Sequence, residues 1–225
     1  MGKRVLLGAL AILLVIAAAY GSFYIAPEER TMGVVQRIFY FHVGSAWAGM
    51  DAFLVCFICN LLYIWKREQK YDWLGVAAAE VGLVLTTVVL ITGPIWAKPA
   101  WGIYWTWDAR LTSTFVLWLL YVSYLLLRTL VEEPDRRALL SSLFGVFAFI
   151  DVPLVFGAIR WWRTQHPAPV IMGGPGSGLD PTMNKVFFFS VFAMHVLTAF
   201  LLVERYGLEK MKSDVDVLQR EAEAL

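Results

Sequence analysis

The sequence predicts an all-α, polytopic integral membrane protein, with six transmembrane helices and an external tryptophan-rich loop. Three observations carry this. The 225 residues are 59% hydrophobic and only 16% charged, which is more apolar surface than a soluble globule of this length buries. Six apolar runs approach the roughly 20 residues a helix needs to cross about 30 Å of hydrocarbon. Lysine and arginine gather in alternate connections between those runs.

The first run, Val5 to Tyr24, follows Lys3-Arg4 and passes through Ala17-Ala18-Ala19. That pattern shares features with a cleaved signal peptide. A span is the better expectation, because cleavage leaves five spans and moves the new N-terminus outside. The next runs are Val43 to Trp65, Trp73 to Gly93, Leu111 to Leu127, Ala138 to Ile159 and Val186 to Val203. Asp180 before Pro181 has the form of an N-cap followed by proline at the first helical position, so the sixth helix is expected to begin there. Leu208, Met211, Val215, Leu218, Ala222 and Leu225 then recur at alternating spacings of three and four, the apolar seam of a short amphipathic helix able to dock a cytoplasmic partner. The expected organisation is one membrane bundle over residues 1–206 and a cytoplasmic tail over 207–225.

Orientation follows from the cations. The side holding both termini carries Lys3, Arg4, Lys66, Arg67, Lys70, Arg128, Arg136, Arg137, Arg205, Lys210, Lys212 and Arg220; the other carries Arg30, Arg37, Lys98, Arg110, Arg160, Arg163 and Lys185. Twelve against seven places the termini in the cytoplasm and the long aromatic connections, near 25–41, 94–110 and 160–180, outside. Trp96, Trp101, Trp105, Trp107, Trp161 and Trp162 then form an aromatic platform at the outer face. The glycine-rich segment Gly173-Gly174-Pro175-Gly176-Ser177-Gly178 reads as a loop. A phosphate-binding loop needs Gly-Lys-Ser/Thr opening a helix, so any ATP hydrolysis belongs to a partner. No nucleic-acid partner is expected.

Several features invite chemistry. Cys56-Phe57-Ile58-Cys59 is followed by Asn60 rather than His and lies within a span, which makes it two buried thiols and not a c-type heme attachment site. Asp51, Glu80 and Asp151 also lie inside spans, where a carboxylate must face the bundle interior or be neutral. Of the three histidines, His42 and His166 sit at the outer boundary. His195 lies nine residues beyond Val186, roughly 14 Å into the bilayer, and reads as a satisfied core histidine.

Imidazole is a common axial ligand of heme iron, and a porphyrin offers an apolar face to aromatic rings and propionates to cations. His42 and His166, the external tryptophans, and Lys98, Arg110, Arg160 or Arg163 supply those parts. By residue chemistry alone, solvated histidines beside an ordinary interfacial aromatic belt are the better reading.

The segment Trp101-Gly102-Ile103-Tyr104-Trp105-Thr106-Trp107-Asp108-Ala109-Arg110 resembles the WWD signature of the heme-handling proteins of cytochrome c maturation. Arg37-Ile38-Phe39-Tyr40-Phe41-His42-Val43-Gly44-Ser45-Ala46-Trp47 and Trp161-Trp162-Arg163-Thr164-Gln165-His166, with six spans, are similar to the CcmC family over nearly the whole chain. Tyr104 departs from an expected tryptophan, and Gly44-Ser45 from an expected Pro-Ala. The resemblance implies that His42 and His166 ligate the iron of heme b, and that Trp101, Gly102, Trp105, Trp107, Asp108 and Arg110 form the heme platform. It further implies delivery of heme to the membrane-anchored chaperone CcmE, with CcmA, CcmB and CcmD as partners in the bacterial inner membrane. The expected role is heme transfer or transport, with a lyase-like part in loading the chaperone, and no catalytic residue. Two other classes stand beside it. A b-type electron-transfer cytochrome requires histidines paired at depth, and a transporter requires Asp51, Glu80 and Asp151 along one path.

Overall fold

The computed structural model describes residues 2–166 and 178–223. Its helices are α1 (Gly2–Tyr20), α2 (Ile38–Lys66), α3 (Gln69–Trp101), α4 (Ala109–Leu130), α5 (Pro134–Ala148), α6 (Asp151–Trp161) and α7 (Pro181–Glu223). A π turn over Gly21–Ile25 extends α1, and a 3-10 turn over Val34–Arg37 leads into α2. Among the described residues no strand occurs, and six helical stretches are long and apolar enough to cross a membrane. All six predicted runs fall within them. The glycine-rich segment lies, apart from Gly178, outside the described residues, as does Leu225 of the tail.

Two elements differ from expectation. The fifth span is two helices, α5 and α6, meeting at Phe149 and Ile150. Pro153 has no N–H to give the Phe149 carbonyl, so the helical ladder cannot run through it. The Val152 N–H takes that carbonyl instead, at 3.0 Å, and the chain turns. At the other end, α7 runs unbroken for 43 residues from the sixth span into the tail. Asp180 starts it as expected, its carboxylate accepting from the N–H groups of Thr182 and Met183 at 2.8 and 3.3 Å.

Lipid tails are as apolar as leucine, so helices in a bilayer associate through close packing, and small residues allow it. The α2–α3 interface follows this rule. Ser45, Ala48, Gly49 and Ala52 of α2 are buried, as are Ala77, Ala78, Ala79 and Gly82 of α3. A Cβ on Gly82 would lie 2.5 Å from the ring of Phe53. That ring is itself fully buried and stacked on Tyr121 at 3.6 Å between centroids. Gly82→Ala is therefore expected to destabilise the bundle by about 1–3 kcal/mol, read as a lowered thermal midpoint in detergent.

Two arginines tie spans together through carboxylates. Arg128 makes a bidentate contact to Asp72, at 2.6 and 2.8 Å, which ties α4 to α3. Arg205 of α7 bonds both Glu80 of α3 and Glu209. Cys56 and Cys59 are buried free thiols, and Asn60 donates to the Cys56 sulfur at 3.3 Å. Asp151 is buried at the start of α6. His195 departs from its expected place. It is satisfied, by Val191 O and Asp51, but with a third of its side chain exposed it faces outward between α2 and α7 instead of into the core.

Candidate functional site

At the end of the bundle that carries the tryptophan-rich loop, α2, α3, α4 and α6 splay around a cleft of about 760 Å³, counting its open mouth. His42 enters from α2 and His166 from the segment after α6. Trp96 and Trp101 from α3, then Trp105 from the loop, provide aromatic walls. Arg110 of α4 is the cation in the lining.

The α3 helix shapes one side. It contains Pro94 and Pro99, and ends at Gly102, which adopts φ 77°. Its N–H bonds the Lys98 carbonyl at 2.9 Å, so glycine supplies the left-handed C-cap that turns the chain into the loop. No protein atom lies within 4 Å of a Cβ built on Gly102, so it is the positive φ and not crowding by the protein that favours glycine there. Trp101 stands edge-on to both Trp96 and His166, at 5.1 and 6.4 Å between ring centroids.

His42 is held by a residue that sequence reasoning missed. Its Nδ1 lies 2.9 Å from the Thr92 hydroxyl oxygen, and that hydroxyl donates to the Val88 carbonyl at 2.7 Å. With its proton so engaged, the hydroxyl accepts from Nδ1–H. This fixes the tautomer and leaves the Nε2 lone pair for a metal. Gly93 makes room, since a Cβ there would stand 3.4 Å from the His42 ring. Thr92→Val, which keeps shape and removes the acceptor, is expected to weaken iron-porphyrin binding by about tenfold, measured by spectral titration.

Asp108 is the hub of the loop. One carboxylate oxygen accepts from the Leu111 N–H at 2.9 Å, capping α4. The other accepts from the Thr164 hydroxyl at 2.9 Å and the Gln165 N–H at 3.2 Å. The His166 N–H in turn donates to the Thr164 hydroxyl at 3.0 Å. Asp108 therefore couples the tryptophan loop to the segment bearing His166, across 56 residues of sequence. Burial pushes this carboxyl up, but hydrogen bonds from the N–H groups of Leu111, Gln165 and Arg110 and from the Thr164 hydroxyl outweigh it, holding it below its ordinary 3.8.

The remaining predicted residues separate. Trp107 lies outside the cleft and 74% exposed, in a second groove shared with Trp105, Phe115 and Trp118. Tyr104 is exposed beneath the Lys98 ammonium, whose Nζ donates to the Gly102 carbonyl at 2.9 Å. Trp161, Trp162, Arg160 and Arg163 are exposed and do not line the cleft. Gly44, where proline was expected, lies against α7, and a Cβ there would meet Met194 at 3.0 Å. Among the described residues no cluster of three or more His, Cys, Asp or Glu could bind a bare metal ion.

Six helical stretches long and apolar enough to span a membrane, with an aromatic cleft holding two histidines at one end of the bundle, define a multi-pass α-helical membrane protein. The chain belongs to the CcmC family, described as heme exporter protein C, whose sequence model matches residues 3–223. It is 32% identical over 191 residues to heme exporter protein C of Bradyrhizobium diazoefficiens, covering 85% of this chain and 71% of that one. To heme exporter protein C of Escherichia coli it is 31% identical over 185 residues, covering 81% and 74%. To a ccmC-like mitochondrial protein of cytochrome c biosynthesis from Marchantia polymorpha it is 29% identical over 189 residues, covering 84% and 80%.

Proposed function

We propose that this chain works in cytochrome c maturation by holding heme b at the outer face of the bacterial inner membrane and handing it to the chaperone CcmE. The observation that carries the proposal is the arrangement of one cleft: His42 with Nε2 left for iron, His166 in the same lining, tryptophan walls, and a single lining cation. In this reading His42 and His166 are the axial ligands. Trp101 and Trp105 cover the macrocycle, Arg110 pairs with a propionate, and Gly102 and Asp108 set the loop that carries them. Trp107, on the far side of Trp105, is the rim a docking chaperone meets.

Both termini then lie in the cytoplasm, and the tail over 207–225, where Leu208, Met211, Val215 and Leu218 are exposed, offers its apolar seam to a cytoplasmic partner. CcmA, CcmB and CcmD are the partners in this scheme. Two histidine ligands hold iron firmly, so release requires an input that favours the open cleft, which ATP hydrolysis by a partner provides. The role is transfer, in which this chain's side chains coordinate iron and form no covalent link to the porphyrin. The alternative classes are less well supported: His195 points outward with Asp51, and none of Asp51, Glu80 and Asp151 lines this cleft.

The test is transfer itself. Heme-loaded chain and heme-free CcmE, co-reconstituted in liposomes with the ATPase partners, are expected to yield heme-bearing CcmE. A chaperone that stays heme-free while this chain keeps its heme would defeat the proposal.

A further inference from the structure

The Asp51–His195 pair lies between α2 and α7, outside the cleft, on a surface that is otherwise apolar. On α2, Leu54, Ile58 and Leu61 follow Asp51 at helical spacing and are 41%, 45% and 43% exposed. On α7, Phe188 and Phe192 share the stripe of His195 and are 47% and 56% exposed. Asp51 itself is the most exposed of the group, with 65% of its side chain accessible. It stands nine residues along α2 from His42, roughly 14 Å deeper in the bundle. A carboxyl group thus faces hydrocarbon, where acyl chains offer it nothing to bond.

The protons of the pair are determined by geometry. His195 Nδ1 lies 2.7 Å from the Val191 carbonyl, an acceptor only, so Nδ1 carries a proton. Nε2 lies 3.0 Å from Asp51 Oδ2. That contact is a hydrogen bond in two states: imidazolium with carboxylate, or neutral imidazole with carboxylic acid. Each state is neutral overall, which suits a low-dielectric surroundings. In each, every polar hydrogen of the pair is already engaged, and the face presents only acceptor oxygens of Asp51.

We propose that this face seats a transmembrane helix of a different polypeptide, which donates a hydrogen bond to Asp51 from within the bilayer through Arg, Lys, Asn, Gln, Ser, Thr or Trp. Lipid tails lack the donor. A second copy of this chain that presents the same face fails for the same reason, since its own pair brings only acceptors. The apolar stripes on either side supply the packing surface, and the pair fixes the register of the incoming helix.

A photoreactive benzoylphenylalanine at Leu54 or at Phe192, in the full chain in its native membrane, tests this. The expected product is a discrete adduct with another polypeptide, attached within a membrane-spanning helix and within one turn of a donor side chain. Asp51→Leu is expected to reduce the adduct about tenfold, whereas Asp51→Asn, which keeps a carbonyl acceptor, retains most of it. Adducts with lipid alone at both positions would overturn the proposal. So would adducts with a second copy, a partner helix without a donor, or a yield indifferent to Asp51→Leu. Mapping in the unsubstituted background decides the matter even if a variant folds poorly.

Discussion

His42→Ala and His166→Ala are each expected to lower heme retention by more than the roughly 10–100-fold that follows loss of a ligand's outer hydrogen-bond partner. The basis is the geometry of His42, whose Nδ1 is committed to Thr92 and whose Nε2 is left with a lone pair. On the proposed ligation an alanine at either position removes one of the two iron ligands, and at position 42 it also opens space beside Gly93. The two effects are expected to be less than additive, since the second substitution acts on a site that has already lost its two-sided grip. Heme per polypeptide after purification, and spectral titration of the heme-free chain, measure them. Trp118→Phe serves as a control, because Trp118 lines the neighbouring groove and bonds Thr87 at 2.8 Å, away from the histidines.

Asp108→Ala is expected to have the second largest effect, through the segment that carries His166. The substitution removes the α4 cap, about 1 kcal/mol, and two further hydrogen bonds that hold Thr164 and Gln165 against the loop. Bonds to a charged acceptor contribute about 1.5–3 kcal/mol each. Discounting these for partial exposure, the ordered state of the His166 segment loses about 2 kcal/mol. Apparent heme affinity then falls on the order of 30-fold, in proportion to the binding-competent fraction. Hydrogen exchange at Gln165, measured by mass spectrometry, should show the loosened segment directly. The same tether carries a pH dependence. Because the folded carboxyl titrates below 3.8, its contribution is fully present above 3.8 and is lost as pH falls through the lower, folded value. Protection at Gln165, corrected for intrinsic exchange, is therefore expected to persist at pH 5 and to disappear in stronger acid.

The spans were legible because their signal is length and apolarity, which need no tertiary information. The break at Phe149 and Ile150 was also written in the sequence, as Pro153, but a uniform apolar run concealed it. Thr92 was not legible. Its contact with His42 spans 50 residues and depends on the rotational register of α2 against α3, set by the small residues between them. The same dependence moved His195 outward: depth along a helix follows from residue count, whereas the face a residue occupies follows from packing. Within the signature, spacing brought Trp101 and Trp105 into the cleft with both histidines, and left Trp107 on the opposite side of Trp105. Asp108 was singled out by motif, and its work as cap and tether emerged only once the segment after α6 was in place.

The absorption and electron paramagnetic resonance spectra of the heme-loaded chain test the central claim most directly. Ligation from His42 and His166 is expected to give six-coordinate, low-spin iron, converting to a lower-coordinate form when either histidine becomes alanine and returning toward low spin on adding imidazole. A low-spin spectrum that survives in the His42→Ala, His166→Ala double variant would contradict the account.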